Sequence, residues 1–504
     1  MRQAPAPVRS PEILVRCAVA ALYLITFAAP AHAQHQTIKS GLPSGQELAK
    51  SSGARENFSP ELIRQLEAIK AAALTDDYAY RQLAHLTENI GQRSTGSAGA
   101  KAAVDYVAAQ LRDIGLDVHL EAVKVRHWVR GVESAQLIKG PGFAPGIQQK
   151  VELTALGGST STGADGITAD VIVVDNFDQL KALARNRVAG KIVLFNEKFD
   201  TQRAKAGFAI AAYREIVGYR ETGPKAAAEA GAIAALVRSI GSADYRLPHA
   251  GDSDPAGIPA AAVSAEDADL IAHLAAQGPV RMHLTLTPQK LPDETSYNVI
   301  GDLKGIGHPE QIVIVSGHLD SWDLGTGALD DGAGVVIAME TAQILQQLHL
   351  HPKRTLRVIA WMDEENDGAG SSQYLKDYET EFANHVAAIE SDVGASHPLG
   401  FVMKMSAAAA ESLKPVQTVL SSVGANLFQQ VSHPAGITDI APMAERGVPV
   451  LGMMQDGVDY YNYHHTAADT LDKVIPSKLR ENAAAMAAMA YALADMNNAL
   501  PPEK

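Results

Sequence analysis

Apolar and polar positions follow several different patterns along the chain, and the changes of pattern divide it. Residues 17–29 are a 13-residue apolar run, behind Arg2, Arg9 and Arg16 and ahead of the small-x-small sequence Ala31-His32-Ala33. This is the pattern of an export signal cleaved after Ala33, and the run is shorter than the ~20 residues that span a bilayer. Residues 34–59 are polar, rich in Ser, Gly and Gln, and read as a lead-in. Helical spacing follows at 62–73, 78–86 and 101–114, the last stopped by Gly115, and residues 117–125 alternate as a strand.

From about residue 126 the texture changes. Short β-type runs at 170–174 and 191–195 alternate with Gly-rich turns, and an Ala-rich helix at 224–230 leads into an apolar run at 232–240. This stretch predicts a separate β-rich insert. After residue 288, apolar strands at 312–316, 356–362, 386–391 and 448–453 alternate with helices at 334–348, 371–379 and 476–498. Strands apolar on both faces and separated by helices predict an α/β fold whose mostly parallel, mixed sheet is flanked by helices.

Composition narrows the class. At 504 residues the chain has room for two to four domains of ~150 residues. Its 46% hydrophobic and 20% charged residues exclude a disordered or fibrous chain. The formal charge of −14 argues against nucleic acid as a partner. It becomes −16 when the signal leaves, because three basic residues and one acid go with it. Cys17, the single cysteine, lies in that signal, so the exported protein must rely on core packing or bound metal rather than disulfides.

The candidate chemistry begins at residues 316–334, SGHLDSWDLGTGALDDGAG. His318 and Asp320 stand just past the carboxyl end of a buried strand, where open α/β sheets place their sites. Asp330 and Asp331 precede the next helix. Further strands end in Asp363-Glu364-Glu365 and Glu390-Ser391-Asp392, and the sequence YHHTAADT occupies residues 463–470. A single Asp after a strand is commonly a helix cap, which suits Asp331, and a lone loop His such as His464 is commonly structural. Here acids and imidazoles gather on four separate elements at one sheet edge. So many carboxylates repel unless some are neutral or a cation sits among them. Two His with three or more carboxylates and no sulfur suit Zn²⁺, with Mn²⁺ or Co²⁺ as alternatives, and a bridging carboxylate could hold two ions. Neither a G-x-S-x-G elbow nor an H-E-x-x-H helix is present.

Together, GHLDSW, GALDDGAG, DEEN, ESD and YHHTAADT resemble the co-catalytic dizinc exopeptidases of the aminopeptidase and glutamate carboxypeptidase type. The likeness runs to the plasma glutamate carboxypeptidase (carboxypeptidase Q) subgroup and includes GQRSTGSAGAKAAVDYVAAQL at 91–111. GKIV at 190–193 resembles part of a protease-associated domain. The resemblance implies a zinc exopeptidase fold organised as a signal at 1–33, a lead-in with the N-terminal part of the catalytic domain at 34–125, a protease-associated insert at 126–287, and the dimetal peptidase domain at 288–504. It implies two Zn²⁺ per chain, with His318 and Asp392 on one, Glu365 and His465 on the other, and Asp330 bridging. Glu364 would be the general base, and Asp320 would orient the His318 imidazole. His465 is preferred to His464 because it starts the H-T-x-x-D-T pattern. The implied protein is a secreted or periplasmic homodimer that hydrolyses short peptides or dipeptides, free of the membrane once its signal is cleaved. Amino-, carboxy- and dipeptidase action all stay open, as does, from a different class, a non-catalytic peptide-binding protein on this fold.

Overall fold

A computed structural model describes residues 57–243 and 245–501; the expected signal and most of the lead-in lie outside the described residues. Eight strands form one mixed sheet: β1 (Asp117–Val129), β2 (Gln289–Leu303), β3 (His308–His318), β4 (Arg354–Trp361), β5 (His385–Glu390), β6 (Pro398–Lys404), β7 (Leu427–Gln430) and β8 (Val450–Gln455). Their order is β1-β2-β4-β3-β5-β8-β6-β7. The four central strands β4, β3, β5 and β8 are mutually parallel; β1–β2, β2–β4 and β8–β6 pair antiparallel, and the edge strand β7 runs parallel to β6. This is the α/β architecture with a mostly parallel, mixed sheet that the pattern predicts.

The continuous apolar runs have a direct cause. On β3, Ile312 and Ile314 pack with Trp361, Tyr374 and Met443 on one face. Val313 and Val315 turn to the other, against the helices Ala333–Gln347 and Pro476–Asp495. A strand covered on both sides keeps no polar face, so its sequence cannot alternate.

Between β1 and β2 the chain builds a second eight-stranded sheet from strands within residues 133–286. The chain leaves along β1 and returns along β2, and these two pair antiparallel from Asp117 opposite Asp302 to Val129 opposite Gln289. The second sheet is thus carried on a two-stranded stalk.

Some elements differ from the pattern's expectation. The helix expected over 78–86 keeps α geometry only over Tyr78–Ala84 and continues as a π-helical segment, His85–Ile90. The helix Ala209–Glu221 was not evident from the pattern. Its buried positions, Ala209, Ala212, Ile216 and Arg220, have near-helical spacing, but two alanines and an arginine give almost no hydropathic contrast. Strand β7 is an edge strand with little burial, and no apolar run announces it.

Candidate metal centre

Because β4, β3, β5 and β8 run parallel side by side, their carboxyl ends open on one crevice. His318 closes β3. Asp363, Glu364 and Glu365 follow β4, Ser391 and Asp392 follow β5, and His464 and His465 lie beyond β8. Asp330 enters from the turn before the helix Ala333–Gln347. That helix can start so close to the strands only because Gly334 lacks a side chain: a Cβ there would lie 1.9 Å from the Ser391 carbonyl oxygen.

Seven expected site residues meet here. His318 Nε2 lies 3.1 Å from Asp330 Oδ1 and 3.4 Å from Asp392 Oδ1. His465 Nε2 lies 2.9 Å from Glu365 Oε2 and 3.1 Å from Asp330 Oδ2. Two groups of possible ligands therefore share Asp330: His318, Asp330 and Asp392, and Asp330, Glu365 and His465. Glu364 and Asp392 line the adjoining cleft, a cavity of about 560 Å³. The backbone of Asp330 is held from behind. The carboxylate of Asp469 accepts the N–H groups of Ala328 (3.1 Å), Leu329 (2.7 Å) and Asp330 (3.2 Å).

Asp320 acts differently from the orienting carboxylate that the resemblance implies. His318 Nδ1 lies 3.0 Å from the backbone carbonyl of Asp320 and 3.9 Å from its carboxylate. That carboxylate instead accepts the successive N–H groups of Asp363 (2.7 Å), Glu364 (3.2 Å) and Glu365 (3.3 Å). With Asp363 at φ 77, the chain turns so that three donors converge, and an anion suits that concavity. Asp320 thus fixes the loop that presents Glu364 and Glu365. Asp331 behaves as a cap: it accepts Gly334 N–H (3.0 Å) and ties it to the N–H of His318 (3.1 Å).

The donor set fits a metal. A carbonyl can only accept, so His318 Nδ1 carries the proton and the Nε2 lone pair faces two carboxylates, an arrangement that calls for a cation. Glu365 Oε1 is buried without a hydrogen-bond partner. Burial opposes charge on His318, yet its bonds to Asp330 and Asp392 prevail and hold the imidazole well above its usual range. Burial likewise opposes charge on His465, but Glu365 and Asp330 raise it to about 9. Burial pushes Glu365 up to about 8 and Asp392 to about 7, despite neighbouring imidazoles. In Asp330 the imidazoles of His464, His318 and His465 overcome burial and hold it well below the carboxylate range. Without a cation, protons must neutralise this cluster. A divalent ion with N and O ligands does so better.

Other residues of the site carry little sequence signal. His464 Nε2 stands 3.3 Å from Asp330 Oδ2, while its Nδ1 is 2.9 Å from Nε2 of His249, which comes from the second sheet's segment. The two adjacent imidazoles stack, centroids 3.7 Å apart. Arg93, wholly buried, donates to the carbonyls of Leu319 (2.6 Å), Thr326 (2.7 Å) and Gly327 (2.8 Å) and so braces the loop between His318 and Asp330. Its only sequence mark is its place in GQRSTG. Arg220 and His249 have none.

Known proteins resemble the chain over most of its length. Residues 298–490 match peptidase family M28. Carboxypeptidase Q of Homo sapiens is 36% identical over 91% of this chain and 96% of its own. The solved structure of a peptidase M28 precursor from Shewanella amazonensis superposes with a TM-score of 0.82 at 34% identity, covering 88% of this chain and 99% of that one. A zinc aminopeptidase from Bacillus subtilis shares the fold at a TM-score of 0.59 and 21% identity, over 82% of this chain and 94% of that one.

Proposed function

The chain belongs to peptidase family M28 and is a metallopeptidase, and on that premise we propose that it is an exported dizinc exopeptidase acting on short peptides. The observation that carries the reading is the position of Asp330, whose two carboxylate oxygens face separate groups of ligands. In this reading His318 and Asp392 would hold one zinc, Glu365 and His465 the other, and Asp330 would serve both. Zinc so held would polarise the scissile carbonyl and acidify water.

The chain's own groups supply the rest. Glu364 stands in the cleft on a backbone fixed by Asp320. It takes a proton from the water whose oxygen attacks the carbonyl carbon. As the C–N bond breaks, it returns that proton to the leaving nitrogen. The segment that carries the second sheet, read as a protease-associated insert, lines the cleft with Tyr213, Arg220 and Asp252, and in this reading it would restrict entry to short peptides. Export rests on residues 1–33, and the homodimer rests on the family resemblance. Among the described residues no helix is long and apolar enough to cross a membrane.

The test is metal analysis combined with one variant. The purified protein should hold two zinc per chain and lose dipeptide hydrolysis on chelation. Glu364→Gln should lower kcat by about 10³-fold while keeping both ions. A single ion, or near-normal turnover in the variant, overturns the assignment.

A further inference from the structure

The imidazoles of the two ligand groups are supported from different parts of the chain. His318 Nδ1 is backed by the carbonyl of Asp320, two residues further along the same loop, at 3.0 Å. His465 is backed from the segment between β1 and β2. Its Nδ1 lies 3.3 Å from the carbonyl of buried Ala250, 215 residues away in the sequence. Arg220 Nη1 lies 3.0 Å from the same nitrogen, but a guanidinium has no lone pair to offer. Of these two contacts, only the carbonyl can accept a hydrogen bond from the ring.

The same stretch holds the backbone around His465. Ala250 N–H donates to the His465 carbonyl at 2.8 Å, and Ser242 N–H donates to the carbonyl of Tyr461 at 3.1 Å. His249 Nε2 lies 2.9 Å from His464 Nδ1. Gly241 lets the two stretches approach, since a Cβ there would fall 2.4 Å from the Tyr461 carbonyl oxygen. His465 has φ 57, a left-handed conformation that a residue with a side chain keeps when its surroundings fix it. Ala250 does so from both ends, through the backbone carbonyl and through the imidazole.

An imidazole that gives Nε2 to a metal carries its proton on Nδ1, and the acceptor of that N–H sets the orientation of the ring. With residues 241–250 lifted away, His465 would lose this acceptor and the bond to its own carbonyl. Its Nε2 would no longer be held toward Glu365 and Asp330. His318 and Asp330 would keep their supports, because Asp320 and Asp469 lie outside the segment.

We propose that the segment between β1 and β2 completes the metal site of Glu365 and His465, with Ala250 as its positioning residue. Seating of the segment and filling of that site are then one coupled equilibrium, and each favours the other by the same factor. The site of His318 and Asp392 is independent of it. This rests on the dizinc reading above.

Hydrogen exchange reads the coupling without altering the segment. Zinc added to the metal-free protein should slow exchange in residues 241–250 by about 10-fold or more, the scale on which such outer contacts change metal affinity. Asp392→Ala, which removes a ligand of the other site, should keep the slowing, and Glu365→Ala should abolish it. In the reverse direction, Gly241→Ala should weaken zinc at one site by about 10-fold and leave the other unchanged, read by competition with a chromophoric chelator. Should Gly241→Ala fail to fold, the exchange measurements decide. Unchanged exchange while elemental analysis finds two zinc per chain overturns this proposal alone. Equal slowing in the Glu365→Ala and Asp392→Ala proteins, or equal weakening of both sites by Gly241→Ala, does the same. A chain that holds no zinc overturns the dizinc reading and this proposal with it.

Discussion

At the scale of single residues, the centre depends on Asp330 more than on any one imidazole. Both groups of possible ligands include it, and its backbone is pinned by Asp469. Asp330→Ala should therefore lower bound zinc from two per chain to well below one, whereas His318→Ala should leave about one. Elemental analysis after gel filtration reads this directly, and equal losses in the two variants would refute a bridging role. The acids and imidazoles that gather at the crevice were legible in the sequence because Asp, Glu and His are costly to bury, so finding them at the ends of apolar strands has few structural explanations. Arg220 and His249 were not legible. They stand far from the motifs in sequence, at 220 and 249, and reach the cleft only because the second sheet folds over it.

At the scale of elements, the helix Ala333–Gln347 shows how burial can conflict with charge. Glu340 is fully buried in it, accepts the N–H of Ala79 at 3.0 Å, and leaves its other oxygen without a partner. Burial raises its carboxyl to about 8. Because the folded value lies above the unfolded one, this group's contribution to stability is complete below about pH 4.5 and is lost as pH rises through 8. Glu340→Gln keeps an acceptor for Ala79 without the charge. It should stabilise the protein at pH 9, by the order of 4 kcal/mol, by about half as much at pH 6, and hardly at all at pH 4. Thermal melts of both proteins across that range provide the check, and a pH-independent difference would contradict it. The parallel strands and their helices were legible because burial on both faces leaves long apolar runs. The helix Ala209–Glu221 and strand β7 were not, since one hides its inner face behind Ala and Arg and the other has almost no inner face.

For the whole molecule, the two sheets are not energetically separate. Val193, Phe195, Ala235 and Val237 of the second sheet belong to the same buried cluster as Val313 and Val315 of the first and Met486 of the helix Pro476–Asp495. Shared apolar burial couples their unfolding. Calorimetry should show one cooperative transition, moved upward as a unit by added zinc. Two well-separated transitions, with zinc moving only one, would contradict the coupling. The dispersal of the proposed ligands along the chain has a consequence during synthesis. They come from residues 318, 330, 365, 392 and 465, on four strand ends that must first pair side by side. A nascent chain lacks His465 until residue 465 has been added, so the proposed ligand set stays incomplete while the four earlier members are already in place. On the proposed ligand set, hydrolytic power therefore waits for the last of these segments to join the sheet.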